Sequence, residues 1–570
     1  MSFLAARERI CLREIDTRIA DHLAKELNVP QAVAAILVGR KLTTFDECKR
    51  FFRPDISHLY DPFLFKDMEK AACRVKQALE SKEKIVVYGD YDVDGVTSTA
   101  LLIHVLRRLG AECDYYLPNR LTEGYGMSEA GIRQIAESGA KLIISVDCGI
   151  TAVTEAKLAR SLGMDLIITD HHEPKDRLPE VLAVIDHKVP DCSYPDSSLA
   201  GVGVALKLCQ ALGIVTGRGE ELWRDLIGLA ALGTAADIVP LTGENRVIAA
   251  LGFENLQTTG VVGLKALIEE QGLTGKKIST GEVVFQIAPC INAVGRLGDP
   301  RRGVELLLTE DSGIASLYAR ELREANQERR ALDSNVAEEA REWVECNCHP
   351  DKDYGFVLGN PGWHVGVIGI VASKLVERYH RPTILLSIGE DGLAKGSGRS
   401  IPGLHLLDSL NECGSLLNSF GGHAAAAGLS IHKNKIDLFR EKFNEVIKSK
   451  LKDDDLVPRV TADVEVPIAA LTPKLLRIIK QMGPFGPGNM RPVLLCRDLQ
   501  HRYSPRVVGQ KHLKLSLTGQ GVVLDAIGFN LGERFREVKD SSSMQVAFAL
   551  EENEWMGKKT LQMNIKGITA

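Results

Sequence analysis

Between Lys84 and about Pro240, hydrophobic residues fall into short, nearly unbroken runs separated by longer stretches in which apolar positions recur every three or four residues. The runs at 85–88, 142–146, 166–169 and 182–185 read as strands buried on both faces. A further short strand is expected at 114–117, and helices at about 96–109, 128–138 and 151–162. Strands alternating with helices in this way predict a parallel sheet covered on both sides. Residues 1–75 read as helical and irregular, punctuated by Pro54 and Pro62. Residues 241–350 are mainly helical; 312–345 contains no proline and only Gly313 near its start, which predicts one long connecting helix. A second α/β pattern covers about 354–452, with strands near 356–358 and 383–387 and a helix near 367–379. From Asp455 onward the runs are short and alternating, as at 511–517 and 560–565, the signature of a small β-barrel. The expected division is 1–75, 76–240, 241–350, 351–454 and 455–570.

Composition narrows the class. A chain of 570 residues is too long for one domain. Its 45% hydrophobic and 25% charged content is that of soluble globular protein, and no apolar run is long enough to cross a bilayer. The stretch from Met1 to Asp16 is charged throughout, so no secretory signal is expected. Twelve cysteines scattered singly fit reduced thiols and a cytoplasmic location. Cys346, Cys348 and His349 lie close together, but a zinc site would need further ligands and none stands at a suitable spacing. The net charge of −5 is unevenly spread: from Arg459 onward 16 Lys+Arg face 10 Asp+Glu, a balance of +6, which leaves −11 for the rest. The basic end suits a polyanion.

The acidic part has a location. Four apolar runs lead directly into charged clusters: Asp90, Asp92 and Asp94; Asp147; Asp170, His171 and His172; Asp186 and His187. Parallel strands end on a common edge, where ligand sites form. So many carboxylates cannot remain ionised together without cations. Alternate residues of an extended segment share a face, so Asp90, Asp92 and Asp94 can converge. A calcium loop is the rival reading of that triplet alone. Adding the imidazoles favours Mn²⁺ over Ca²⁺. The pattern predicts a two-metal hydrolytic centre.

The motifs GDYDVDG at 89–95, SVDCG at 145–149 and TDHHEP at 169–174 resemble those of the DHH phosphoesterase superfamily. The likeness extends, in order, through PNRLTEGYG at 118–126, GTAADIVPL at 233–241, APCINAVGRLG at 288–298, GWHVGVIGIVASKL at 362–375, GSGRS at 396–400 and GGHAAAAGL at 421–429. Over nearly its whole length the chain is similar to the RecJ family of bacterial single-strand-specific 5′→3′ DNA exonucleases. That resemblance implies an α/β DHH catalytic domain with a parallel sheet, a long connecting helix, a second α/β DHH-associated domain and an OB-fold barrel. It implies two Mn²⁺ or Mg²⁺ ions held by Asp92, Asp94, Asp147, His171 and Asp237, with Asp147 bridging and Asp90 a ligand or a support. His172 would touch the scissile phosphate or assist a water, and Asp170 would orient its neighbours. Arg120, Ser397 and Arg399, with the backbone of Gly396 and Gly398, would take a 5′ end; Arg296, Gly422 and His423 would contact nucleic acid. The implied partners are single-stranded DNA, single-strand-binding protein and a RecQ-type helicase, with the chain a monomer acting in repair and recombination. Two positions depart from the family pattern: Tyr88, where many members of the superfamily have histidine, and Cys290, where arginine is common. A nanoRNase or cyclic-dinucleotide phosphodiesterase of the same superfamily is the alternative enzyme, and a non-catalytic DNA scaffold the alternative without activity.

Overall fold

The computed structural model describes residues 8–119, 123–124, 126–350 and 352–570. The chain forms two compact units, each assembled from separated stretches. One comprises 44–327 and 481–491; the other comprises the N-terminal stretch to residue 43, 328–480 and 492–570.

The first unit is built on five parallel strands: β1 (Ile85–Tyr88), β2 (Cys113–Tyr116), β3 (Leu142–Val146), β4 (Asp165–Thr169) and β5 (Ala183–Ile185). Their spatial order is β2-β1-β3-β4-β5, with every neighbouring pair parallel. The alternation of side chains explains why the strands read as unbroken apolar runs. Ile85, Val87, Ile144 and Ile167 point into one core, while Val86, Tyr88, Ile143 and Ile168 point into another. The first core is closed by helices α1 (Val93–Arg108), α2 (Gly201–Val215) and α3 (Ile227–Ala236). The chain reverses its winding between β1 and β3, and a doubly wound sheet forms its ligand crevice at that point. Asp90 follows β1 and Asp147 follows β3, so the first two acidic clusters flank the crevice.

Two further features frame that edge. Thr280–Glu282, a single wide turn at Val283–Ile287 and helix α4 (Ala288–Leu297) run on as one helical stretch. The segment 481–491 lies against the loop after α3. Leu241 N–H donates to Pro487 O at 2.7 Å, and the buried Arg246 guanidinium donates to Gly483 O at 2.8 Å and to Phe51 O at 2.8 Å. Behind α2, the fully buried Lys207 ammonium pairs with Glu244 and donates to Tyr60 O at 2.8 Å.

The long helix is present as α5 (Ser312–Asn347), 36 residues that belong to the first unit up to Gln327 and to the second from Glu328. In the second unit a five-stranded mixed sheet pairs Phe356–Asn360 and Thr383–Ile388 in parallel, then adds Leu393–Arg399, Ala426–His432 and Ser419–Gly422 antiparallel. Helix α6 (Val365–Tyr379) covers one face of this sheet. The last segment is a seven-stranded OB-like sheet running from Val464–Glu465 to Lys558–Thr569, with an additional pairing between Leu494–His501 and His512–Gly519.

Two sequence expectations need correcting. The N-terminal segment is not only helical: Arg9–Leu12 is a strand, parallel to Arg459–Ala462. Its partner lies some 450 residues away, so no local pattern could announce it. Second, GSGRS and much of GGHAAAAGL are strands. Gly396 and Gly398 sit in a strand paired on both sides, where backbone amides serve the ladder and are not presented to a phosphate. Their lack of a Cβ is needed for packing, since one at Gly396 would meet Leu386 at 2.6 Å.

Candidate functional site

The strand ends deliver the ligands. Asp92 caps α1, its carboxylate accepting from Asp94 N at 2.9 Å and Gly95 N at 3.1 Å. The buried Asp94 carboxylate accepts from the first two amides of α2, Gly201 N at 2.7 Å and Val202 N at 2.8 Å. A helix N-terminus stabilises a negative charge placed there. Asp147 turns the chain at the end of β3 with φ +60°, a left-handed conformation that aspartate tolerates better than most residues. Asp237 ends α3, and the next residue, Ile238, also has φ +63°. For a β-branched residue that is a strained conformation, held in place beside the cluster of charged groups.

His171 Nε2 is the hub. It lies 3.2 Å from Asp147 Oδ1, 3.7 Å from Asp237 Oδ2 and 3.9 Å from Asp94 Oδ2. Three sets of donor atoms fall within 4.8 Å of one another: Asp90, Asp92 and Asp147; Asp94, His171 and Asp237; and Asp147, His171 and His172. Burial and the neighbouring charges of Asp237 and Asp92 push the Asp94 carboxyl well above the usual carboxylate range, and burial with Asp94 does the same to Asp147. Burial and Asp92 raise Asp237 to about 7. Burial and His172 hold His171 down at about 3, so its imidazole is neutral at pH 7 and the short approaches are not ion pairs. They are donor atoms turned toward a common space. Asp147 Oδ1 and His171 Nε2 are buried without a hydrogen-bond partner. An orphaned oxygen and nitrogen inside a group of mutually repelling carboxylates fit a divalent cation bound by oxygen and imidazole.

Asp170 plays a different part. Its carboxylate accepts from Ile150 N at 2.9 Å and His171 N at 2.7 Å, and meets His172 Nδ1 at 2.7 Å. Burial opposes its ionisation, but the His172 contact and these amides outweigh that and hold it below the usual range. Burial likewise opposes the His172 charge, yet Asp170 lifts it to about 9. Asp170 thereby fixes which edge of His172 faces the site.

The structure brings Asp90, Asp92, Asp94, Asp147, Asp170, His171, His172 and Asp237 together in the first unit, as the sequence anticipates. Tyr88 belongs to the core on the other side of the sheet; its hydroxyl donates to Gly126 O at 3.3 Å and accepts from Ser128 N at 3.1 Å. Asp90 therefore groups with Asp92 and Asp147 without help from position 88. Asp186 and His187, the fourth cluster, are buried, but among the described residues they join none of these donor groups. Cys290 is buried with its thiol on Gln286 O at 3.3 Å, inside the core and away from solvent. In the second unit, Arg399 Nη1 donates to Ser397 Oγ at 3.1 Å and to Gly398 O at 2.7 Å, beside Gly369 of α6. Gly422 ends the strand Ser419–Gly422 and His423 opens the hairpin turn that follows, both exposed. Arg120 lies outside the described residues.

Sequence reasoning passed over the amides of Gly201 and Val202. Their signal was the run LAGVGVALK, a small-residue start to an apolar helix. A Cβ on Gly201 would stand 2.5 Å from Asp147 Oδ1.

Models of three families match the chain: the DHH family N-terminal domain over residues 84–234, the DHHA1 domain over 353–449 and the RecJ OB domain over 462–567. The fold and the cluster therefore define a DHH-type protein with an associated DHHA1 domain. The chain is 41% identical over 565 residues to the single-stranded-DNA-specific exonuclease RecJ of Bacillus subtilis, covering 99% of this chain and 71% of that protein. It is 38% identical to the protein of the same description from Escherichia coli, covering 88% and 90%. A crystal structure of RecJ in complex with Mn²⁺ from Thermus thermophilus superposes with a TM-score of 0.84 at 28% identity, covering 99% of this chain and 79% of that one. The chain belongs to the RecJ family of single-stranded-DNA-specific exonucleases.

Proposed function

We propose that the chain degrades single-stranded DNA from a 5′ end by metal-dependent phosphodiester hydrolysis, in repair and recombination. The observation that carries this is the convergence of Asp90, Asp92, Asp94, Asp147, His171 and Asp237 at one strand edge, with orphaned atoms on Asp147 and His171. In this reading those six side chains hold two Mn²⁺ or Mg²⁺ ions. Asp147, which belongs to two of the donor groups, would serve both ions. Divalent cations bound there supply charge neutralisation for the phosphodiester and acidify a water.

The chain's own residues do the rest. The α2 amides favour the ionised form of Asp94, against the burial and neighbouring carboxylates that raise it, and so ready it to receive a cation. Asp170 binds His172 Nδ1, so the ring meets the substrate through Nε2 and donates a proton to a phosphate or leaving oxygen there. Burial of the cluster keeps bulk water from competing with the single attacking water. Ser397 and Arg399, already paired with each other, form a donor set for a terminal phosphate; Arg120 is assigned to the same 5′ end, and Gly422, His423 and Arg296 to the strand. Single-strand-binding protein and a RecQ-type helicase are the proposed partners of a monomeric enzyme. No described helix is long and apolar enough to cross a membrane.

The deciding experiment compares a long single strand labelled at either end with a dinucleotide, in Mn²⁺. Release of mononucleotides from the 5′ end of the long strand is expected. Preference for the dinucleotide would instead favour the nanoRNase reading, and no turnover of either would favour the scaffold.

A further inference from the structure

The helical stretch 280–297 carries an outward face that the metal chemistry does not use. Phe285, Pro289, Asn292 and Arg296 follow one another at spacings of four, three and four, so they share one side of the helix. The opposite side, with Val283, Ile287, Cys290, Ile291 and Val294, is core. Phe285 is 71% exposed, although a ring of its size is normally covered.

This face has a direction relative to the cluster. At one end, Gly295 packs so closely on Tyr91 that a Cβ would lie 2.8 Å from its carbonyl oxygen. Arg296 therefore sits beside the turn that carries Asp90 and Asp92. At the other end, Thr280 is next to Gly486, which also touches Leu241 in the loop that follows Asp237. The helix thus runs along the flank of the cluster from the Asp237 side to the Asp92 side. Phe285 and Arg296 are eleven residues apart, about 16 Å along a helix axis, the reach of a short run of nucleotides. Two more exposed apolar side chains border the same loop. Ile238, 63% exposed, directly follows Asp237, and Met490, 66% exposed, lies two residues beyond Gly488, which packs on Pro240 and Thr242.

Three exposed apolar side chains around an anion-handling site match what single-strand binding requires. Cations track the phosphates, and aromatic rings carry the bases without regard to sequence. We propose that Phe285 stacks on a nucleobase of the substrate strand close to the scissile bond, with Ile238 and Met490 completing an apolar wall and Arg296 taking the adjoining phosphate. This rests on the reading of the chain as a single-strand exonuclease and adds to it a base-gripping residue inside the first unit.

The test uses the full chain, its Phe285→Ala and Phe285→Trp variants, and a 5′-phosphorylated oligonucleotide in which one abasic position is moved stepwise from the 5′ end. Affinity is read by fluorescence anisotropy in EDTA, where no cleavage occurs. Wild type should lose about tenfold in affinity at one abasic position, Phe285→Ala should lose the same on the intact strand and nothing more at that position, and Phe285→Trp should bind like wild type. Unchanged affinity of Phe285→Ala for the intact strand, or a loss that adds to that of every abasic position, overturns the stacking role. A wild-type chain that bound no single strand would overturn the exonuclease reading as well, so the two failures look different.

Discussion

At the scale of single residues, Asp147 concentrates the argument. It sits in a left-handed backbone conformation, is shared by two donor groups and is packed against Gly201. Asp147→Ala should abolish hydrolysis while circular dichroism and elution volume stay as in wild type. Near-normal turnover by that folded variant would refute the assignment of the centre. Gly201→Ala tests the packing, since the new methyl would collide with Asp147 Oδ1. Activity should fall roughly 10–100-fold, as when the support of a ligand is disturbed, and excess Mn²⁺ should recover part of it. A variant as active as wild type would show that Asp147 can move without cost. Asp147 was legible in the sequence because it ends an apolar run, and Asp237 only through resemblance, since it closes a helix of the core. Gly201 was not legible. A glycine needed for a contact with a residue 54 positions earlier looks, in sequence, like any small residue at a helix start.

Among the elements, the five strands of the first unit and the helices at 93–108, 129–137 and 153–161 followed from periodicity, whereas the helices 201–215 and 227–236, apolar on nearly every face, were not read. The antiparallel strands 393–399 and 426–432 did not follow either, because their glycines and alanines weaken the apolar signal, although Ala427, Leu429 and Ile431 alternate onto one buried face. Helix α2 shows how an element serves the site at a distance. Its first amides hold Asp94, and its middle is anchored by the buried Lys207–Glu244 pair, to which Tyr194 OH donates at 2.5 Å. Removing one partner of a buried pair leaves the other charge stranded, at a cost of about 3–5 kcal/mol. Lys207→Met should lower the denaturation midpoint strongly, and adding Glu244→Gln should restore part of the loss. If the double variant is less stable than Lys207→Met alone, the pair is not what anchors the helix.

For the molecule as a whole, cations and protons compete. Asp237, near 7 in the fold against about 3.9 when unfolded, binds its proton more tightly in the folded chain. The metal-free fold therefore loses stability from this group as pH rises from about 4 to about 7, and Asp94 and Asp147 act in the same direction. His171, held near 3, acts oppositely, costing stability below the unfolded imidazole value of about 6.5. Cations must displace the carboxyl protons, so the rise in melting temperature on adding Mn²⁺ should grow between pH 5 and pH 8 and shrink in Asp147→Asn. An increment independent of pH would argue against these ligands. The basic balance of the barrel belongs to this scale too. Deleting everything after Asp455 would also remove 481–491, which holds Leu241 and Arg246, so substitution is the cleaner test. Replacing the exposed Arg502, Arg506 and Lys511 by alanine should reduce the salt dependence of long-strand binding by about 2 in log–log slope if all three meet phosphates. An unchanged slope would place the strand elsewhere.

The interleaving of the two units has a consequence for how the chain is made. Arg9–Leu12 waits for Arg459–Ala462, and the loop after Asp237 waits for 481–491. At about 5–20 residues per second, the first of these gaps keeps a ribosome busy for roughly 20–90 seconds. Neither unit can finish folding during that time, and the support of the Asp237 loop emerges only about 240 residues after Asp237 itself. A nascent or prematurely terminated chain that stops short of 481–491 lacks it, and a nuclease able to damage its own cell's DNA is thereby withheld until that segment has been synthesised.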